Sequence, residues 1–339
     1  MSKKEKTKRA RIPRGWDSSS LTSNISAREL KRYSQPNLLR IVGLALCVWL
    51  AIWGAAVIGY QVFLETPAYS WIPLNLCILV GIAAALRAIE GFVHAGSHYH
   101  WCSNRLMNDL ATNVLAALPV FSLVQHYRSG HQLHHSRFGS ADDPEVGRYF
   151  QLDLPGLDRR SMGAFFLGMV KRLPRYFWAW WDQIRTTPKV LMYSMLWHVG
   201  ILIPIAIACG VKVAIALWVV YFLIPIVFIL TVIRFITETA EHDYIGRDRN
   251  GGSDGGSQVT ATSELESTNS NIGRIHRWFL HPFNDGWHAV HHLRPTIPFW
   301  NLKKIHRLMV EVDPLGYGRH HFYRTRVLQI PMSGGTIKQ

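Results

Sequence analysis

The feature that most limits how this chain can fold is a set of apolar runs long enough to cross a lipid bilayer. From Leu38 to Leu64 the sequence is apolar, which as a helix is enough for a hydrocarbon core of roughly 30 Å. A second run goes from Trp71 to about Val93, and two more, Met192 to Gly210 and Val213 to Ile236, are parted only by the turn Gly210-Val211-Lys212. Arg87 and Glu90 fall near the end of the second run. Charges are costly in lipid, so that helix end either leaves the membrane or faces a polar interior. Ala111 to Val124 is apolar too, but short and interrupted by Pro119; it reads as a re-entrant or interfacial segment. The expected fold is an all-α integral membrane protein with about four transmembrane helices.

Charge then orients the spans. Of 339 residues 48% are hydrophobic and only 17% charged, yet the formal net charge is +15. The connections 65–70 and 210–212 carry Lys212 as their only Lys or Arg, whereas the N-terminal stretch, the segment 98–189 and the C-terminal segment are rich in both. By the positive-inside rule both termini are expected in the cytoplasm. The first forty residues are basic without amphipathic period, so residues 1–37 read as a disordered basic tail. An anionic membrane surface suits that tail better than nucleic acid. The membrane domain is expected over 38–312, with residues 313–339 as a C-terminal tail. Residues 171–178, basic and aromatic, look interfacial. A Gly- and Ser-rich loop fills 246–271, and Asn301 to Val312 has amphipathic helical spacing. Cys47, Cys77, Cys102 and Cys209 lie far apart, mostly in apolar runs, and read as buried free thiols.

Three histidine clusters stand against this frame: His94 with His98, His131 with His134 and His135, and His288 with His291 and His292. On a helix, spacings of i, i+4 or i, i+3, i+4 put the imidazoles on one face with their ring nitrogens converging. Neutral imidazole is the commonest protein ligand for transition metals, and eight of them are twice what one tetrahedral site uses. Two metal ions are the natural reading. Four spans with cytoplasmic termini put all three clusters on the cytoplasmic face, as a helical cap. If the fourth helix continues beyond the membrane, Glu238 and His242 share a face beside the clusters, His242 as a ninth nitrogen and Glu238 as a ligand, directly or through water, or a catalytic carboxylate. Glu241, about 100° round from His242, fits less well. Glu90 precedes His94 by four residues and either orients its imidazole or pairs with Arg87. His198, His306, His320 and His321 read as structural or incidental.

The order and spacing of HAGSH, HQLHH and HAVHH between apolar spans resemble the membrane-bound fatty-acid desaturases and hydroxylases, the histidine-box di-iron enzymes. The resemblance runs from about Glu90 to Leu308. It is densest in HPFNDGWHAVHHLRPTIPFWNLKKIH, and DDPE after the second box and AEH after the fourth span also look like family features. The resemblance implies that His94, His98, His131, His134, His135, His242, His288, His291 and His292 hold two iron ions, with O2 as co-substrate. The first box has three intervening residues, unlike the four of the stearoyl-CoA type, which favours acyl-lipid or carrier-protein desaturases and their hydroxylase relatives. A cytochrome b5-like domain is not recognisable in the sequence, so the resemblance implies a separate electron donor of ferredoxin or cytochrome b5 type.

Removing hydrogen from an unactivated methylene needs a metal-centred oxidant, and zinc, without redox chemistry, does not supply one. The expected activity is insertion of a double bond into a long acyl chain presented as a lipid, acyl-CoA or acyl carrier protein. Its tunnel is expected among the second and fourth spans, with the head group held near Arg128, Arg137 and residues 171–175. A hydroxylase on the same scaffold is the alternative. A membrane metal transporter is a remote one, because such a protein holds its histidines at mid-depth in the spans.

Overall fold

The computed structural model describes residues 25–158, 161–242, 244, 265, 267–327 and 332–333. Most of the expected basic tail and most of the Gly- and Ser-rich loop lie outside the described residues. The rest is mostly helical. Among the described residues, four helices are long and apolar enough to cross a membrane. They comprise Leu38–Glu65 (α2), preceded by the short α1, Ala27–Tyr33; Ala68–Ser97 (α3); and Pro188–Cys209 (α8) followed at once by the span Val211–Glu241 (α9). Each begins and ends within a few residues of its expected bounds.

An apolar core joins the spans, with Ile52, Ile82 and Leu230 among its members, and polar groups between them are satisfied inside the protein, as lipid could not do. Tyr221 of α9 donates its hydroxyl to Asn75 Oδ1 of α3 at 2.6 Å, and Asn75 Nδ2 donates to the Gly59 carbonyl of α2 at 3.2 Å. A Cβ at Gly59 would lie 2.5 Å from the Tyr221 ring, so α2 can approach only without one.

The Ala111 to Val124 segment, expected to be re-entrant or interfacial, is sharply bent and not one straight helix. Arg105–Thr112 (α4) runs through a π turn, Asn113–Ala117, and a 3-10 turn, Leu118–Val120, into Val124–Arg137 (α5), with a 90° bend at the break. The widened turn loosens its own carbonyls, and two indoles capture them: Trp49 Nε1 donates to the Leu115 carbonyl at 2.8 Å and Trp197 Nε1 to that of Val114 at 2.9 Å.

Beyond the spans, Pro144–Gln151 (α6), the long amphipathic Met162–Arg185 (α7), His288–Leu293 (α10), Phe299–Val312 (α11) and Tyr317–His320 (α12) form the cap. The α11 face that packs inward carries Phe299, Leu302, Ile305 and Met309.

Three expectations need correction. The tail is not disordered through residue 37: Ser26 caps α1 by accepting from the Glu29 N–H, Ile25 is buried, and Asn301 Nδ2 donates to the Tyr33 carbonyl at 2.8 Å. Residues 313–339 are not merely a tail. α12 packs on α11, and Phe322–Arg324 (β2) pairs in parallel with Asn269–Asn271 (β1) and antiparallel with Met332–Ser333 (β3). Elements of two to four residues are too short to show a period. Finally, the cysteines are free, but Cys47, Cys77 and Cys209 are exposed and Cys102 is partly buried. An apolar run does not reveal which of its faces meets protein and which meets lipid.

Candidate metal centre

All nine expected histidines meet at one end of the bundle, where α3 and α9 both finish. His94 lies in the last turn of α3 and His98 caps it. His131, His134 and His135 share the inner side of α5, and His288, His291 and His292 that of α10. Ligand atoms of His94, His98, His131 and His291 lie within 4.8 Å of one another, and those of His134, His242 and His292 form a second such group. His135 joins the first group, its Nε2 3.1 Å from that of His131 and 3.0 Å from that of His291. His288 joins the second, 3.1 Å from His242 Nε2 and 3.2 Å from His292 Nε2.

The donor set fits metal ions. Imidazole nitrogens about 2.0–2.1 Å from one ion stand about 3 Å apart, and His94 Nε2 is 2.9 Å from His291 Nε2. His98 Nε2 and His134 Nε2 are buried and make no hydrogen bond among the described residues, which a buried polar atom rarely tolerates without a missing partner. Burial, then the neighbouring imidazoles, lower the pKa of His98, His131, His291 and His292, and bring His135 to about 3. These rings are neutral at neutral pH, the form that binds a metal. His134 departs from the pattern. Burial pushes it down, but Glu145 and Asp143 outweigh burial and hold it above its ordinary value.

Carboxylates fix the rings from behind. Asp143, the N-cap of α6, accepts from His134 Nδ1 at 2.9 Å while also accepting the Gly139 N–H at 2.7 Å and the Glu145 N–H at 2.9 Å. Asp285 accepts from His94 Nδ1 at 3.0 Å. Each bond fixes the tautomer and turns Nε2 toward the cluster. Burial alone would raise Asp285, but His94 and Arg87 hold it well below the usual carboxylate range.

Glu90 does not touch His94 in this arrangement. It bonds to Arg234 and lies 3.8 Å from Arg87, so the expected ion-pair role stands, widened to a second arginine, and the orienting role passes to Asp285. α9 ends at Glu241. His242 follows on extended backbone, bridged to Thr268, and not as the next turn of a helix. That break separates Glu238 from His242. Glu238 is held by Arg148 Nε at 3.0 Å and the Tyr176 hydroxyl at 2.6 Å, outside both histidine groups. The carboxylate beside the second group is instead Glu145, 3.4 Å from His134 Nε2 and 3.7 Å from His242 Nε2. Its signal was in the sequence. In Asp142-Asp143-Pro144-Glu145 an N-cap followed by Pro starts a helix and fixes Glu145 in its first turn, just after the second box.

Arg128 does not wait for a head group. It donates to the Gly96 and Ser97 carbonyls at 2.9 Å each, closing the end of α3, and pairs with Asp109. Among the remaining histidines, His198 accepts from Trp218 Nε1 at 3.2 Å, His306 Nδ1 lies 2.8 Å from the Tyr317 hydroxyl, and His321 Nδ1 lies 3.2 Å from the Tyr317 carbonyl. These contacts are structural. The side chain of His320 lies outside the described residues.

A cavity of 980 Å³ opens against the centre, where His94, His131, His242 and His288 reach it. Its walls come from α3 and α9, the spans expected to line the substrate path, together with α5, α6 and α7.

A sequence model described as "Fatty acid desaturase" matches residues 69–324. The chain is also 26% identical over 274 residues to dihydrorhizobitoxine desaturase of Bradyrhizobium elkanii, covering 76% of this chain and 72% of that protein.

Proposed function

The chain belongs to the fatty acid desaturase family, and on that premise we propose that it removes two hydrogens from neighbouring saturated carbons of an aliphatic substrate, using O2. The overall change balances as R–CH2–CH2–R′ + O2 + 2 e⁻ + 2 H⁺ → R–CH=CH–R′ + 2 H2O, the electrons coming from a separate ferredoxin or cytochrome b5 type donor. The observation that carries the reading is the division of nine buried or nearly buried imidazoles into two convergent groups beside one cavity. Two iron ions held there, one by His94, His98, His131, His135 and His291 and the other by His134, His242, His288 and His292, would supply the redox chemistry that side chains lack. Asp143 and Asp285 hold the ligand rings in register. Glu145, beside the second group, is the residue that could hold a proton or complete that group. Glu238 serves the cavity wall through Arg148 and Tyr176. We place the centre on the cytoplasmic side from the distribution of Lys and Arg.

A long acyl chain, delivered as lipid, acyl-CoA or acyl carrier protein, is the substrate that the family's description supports. The relative named for dihydrorhizobitoxine supports substrates of another kind within the same family. A hydroxylase on this scaffold remains the second reading, because the same ligand set serves either outcome.

Product mass distinguishes them. Purified, iron-loaded protein with O2 and reductant should yield a product two mass units lighter than its substrate, and His135→Ala should yield none. A product heavier by one oxygen atom would replace the desaturase reading with the hydroxylase.

A further inference from the structure

Helix α6 is only eight residues long, yet the second group of imidazoles depends on where it lies. Asp143 caps it and holds His134 Nδ1, and Glu145 in its first turn is the carboxylate nearest His134 Nε2 and His242 Nε2. Arg148 follows one turn later, on the same side of the helix as Glu145 by its i, i+3 spacing, and both line the cavity. Apolar packing gives α6 little direct hold on the spans. Its Tyr149 and the following Leu152 belong to a small cluster, apart from the main core, that also contains Phe165, Met169 and Tyr176. Among the buried members of that cluster only Phe235 comes from a span.

Glu238, three residues after Phe235 on α9, adds the polar tie. It accepts from Arg148 Nε of α6 at 3.0 Å and from the Tyr176 hydroxyl of α7 at 2.6 Å, bonds strengthened by its charge. The Arg148 guanidinium lies 4.9 Å from the centre of the Tyr176 ring, and that ring stacks on Phe235 with centroids 4.5 Å apart. One carboxylate thus joins three helices. From this junction we propose that Glu238 is a positioning residue for the second metal site: from outside both histidine groups, it holds α6 where Asp143 meets His134 and Glu145 meets His134 and His242. The proposal rests on the two-metal reading of the centre.

It is tested on the full chain in detergent or nanodiscs, loaded with iron, by elemental analysis of the iron retained against increasing chelator. Glu238→Gln should release one ion about ten times more readily, the lower end of what loss of a group orienting a ligand costs, and leave the other as in the wild type. Arg148→Met, which keeps the Glu238 carboxylate, should weaken the same ion; a Glu238 that was itself a ligand would be untouched by that change. In a chain already carrying Asp143→Asn and Glu145→Gln, Glu238→Gln should add almost nothing, because residues that act through one another are not additive. Unchanged retention, equal loss of both ions, or a full additional effect in that background would each overturn the proposal. Where Glu238→Gln does not fold, by circular dichroism, Arg148→Met decides on the same terms. A wild type that binds a single ion would sink the two-metal reading itself, whereas two ions held equally well by wild type and both variants would discard only the positioning role.

Discussion

At the residue scale, the two carboxylates behind the ligand rings make the centre testable one half at a time. Asp143 touches only His134, of the second group, and Asp285 touches His94, of the first. Loss of such a carboxylate typically weakens metal affinity by about 10–100-fold. Asp143→Asn should therefore lower the retention of one metal ion under chelator competition and leave the other, and Asp285→Asn should do the complementary thing. Joint loss of both ions from either variant, read by elemental analysis with folding checked by circular dichroism, would show that the groups do not act as two sites. Neither carboxylate follows from helical spacing. Asp143 is a helix cap whose ring partner lies one element back, and Asp285 reaches His94 across 191 positions of sequence; only the folded arrangement joins them. The same limit explains Glu90, which has the right spacing from His94 but is drawn away by Arg234, a residue of another span.

At the element scale, the end of α3 is where packing and chemistry meet. A Cβ at Gly96 would fall 2.3 Å from Thr112 Oγ1 and 2.4 Å from its Cγ2, so α4 lies against α3 only because residue 96 has no side chain. Gly96→Ala should destabilise the fold by about 1–3 kcal/mol, the usual cost of overpacking, and shift the bent segment that leads to the second box. Thr112→Ser in the same chain should recover part of that loss in thermal unfolding; no recovery would mean that the contact is not what limits the approach. Helix continuity could not be read from composition here. The α9 run reads as able to continue to His242, but its end is set from outside. The Ala240 carbonyl accepts from Asn271 Nδ2 at 2.9 Å, and His242 bridges to Thr268, so the docked strand and not the local sequence stops the helix.

At the scale of the whole molecule, the spans and the histidine sets were legible because both obey simple periods: length against bilayer thickness, and imidazoles on one face. The character of the cavity was not legible, because its charges come from four separate helices and from Asp285, which meet only on folding. Sidedness gives a further prediction. In a variant lacking the native cysteines, a cysteine at Ser140 should react with an impermeant reagent only from the cytoplasmic side, and one at Ala68 only from the opposite side. Labelling of both from one side would overturn the four-span arrangement.

The small sheet joins residues 269–271 to residues 322–324, and through Thr268 and Ala240 it steadies the backbone that presents His242. The chain must therefore be made at least as far as residue 324 before the second group of imidazoles can close. During synthesis the spans enter the bilayer while that group is still incomplete. Metal loading consequently belongs after that point in synthesis, and a chain stopped before Phe322 should be inserted in the membrane yet hold its second ion poorly.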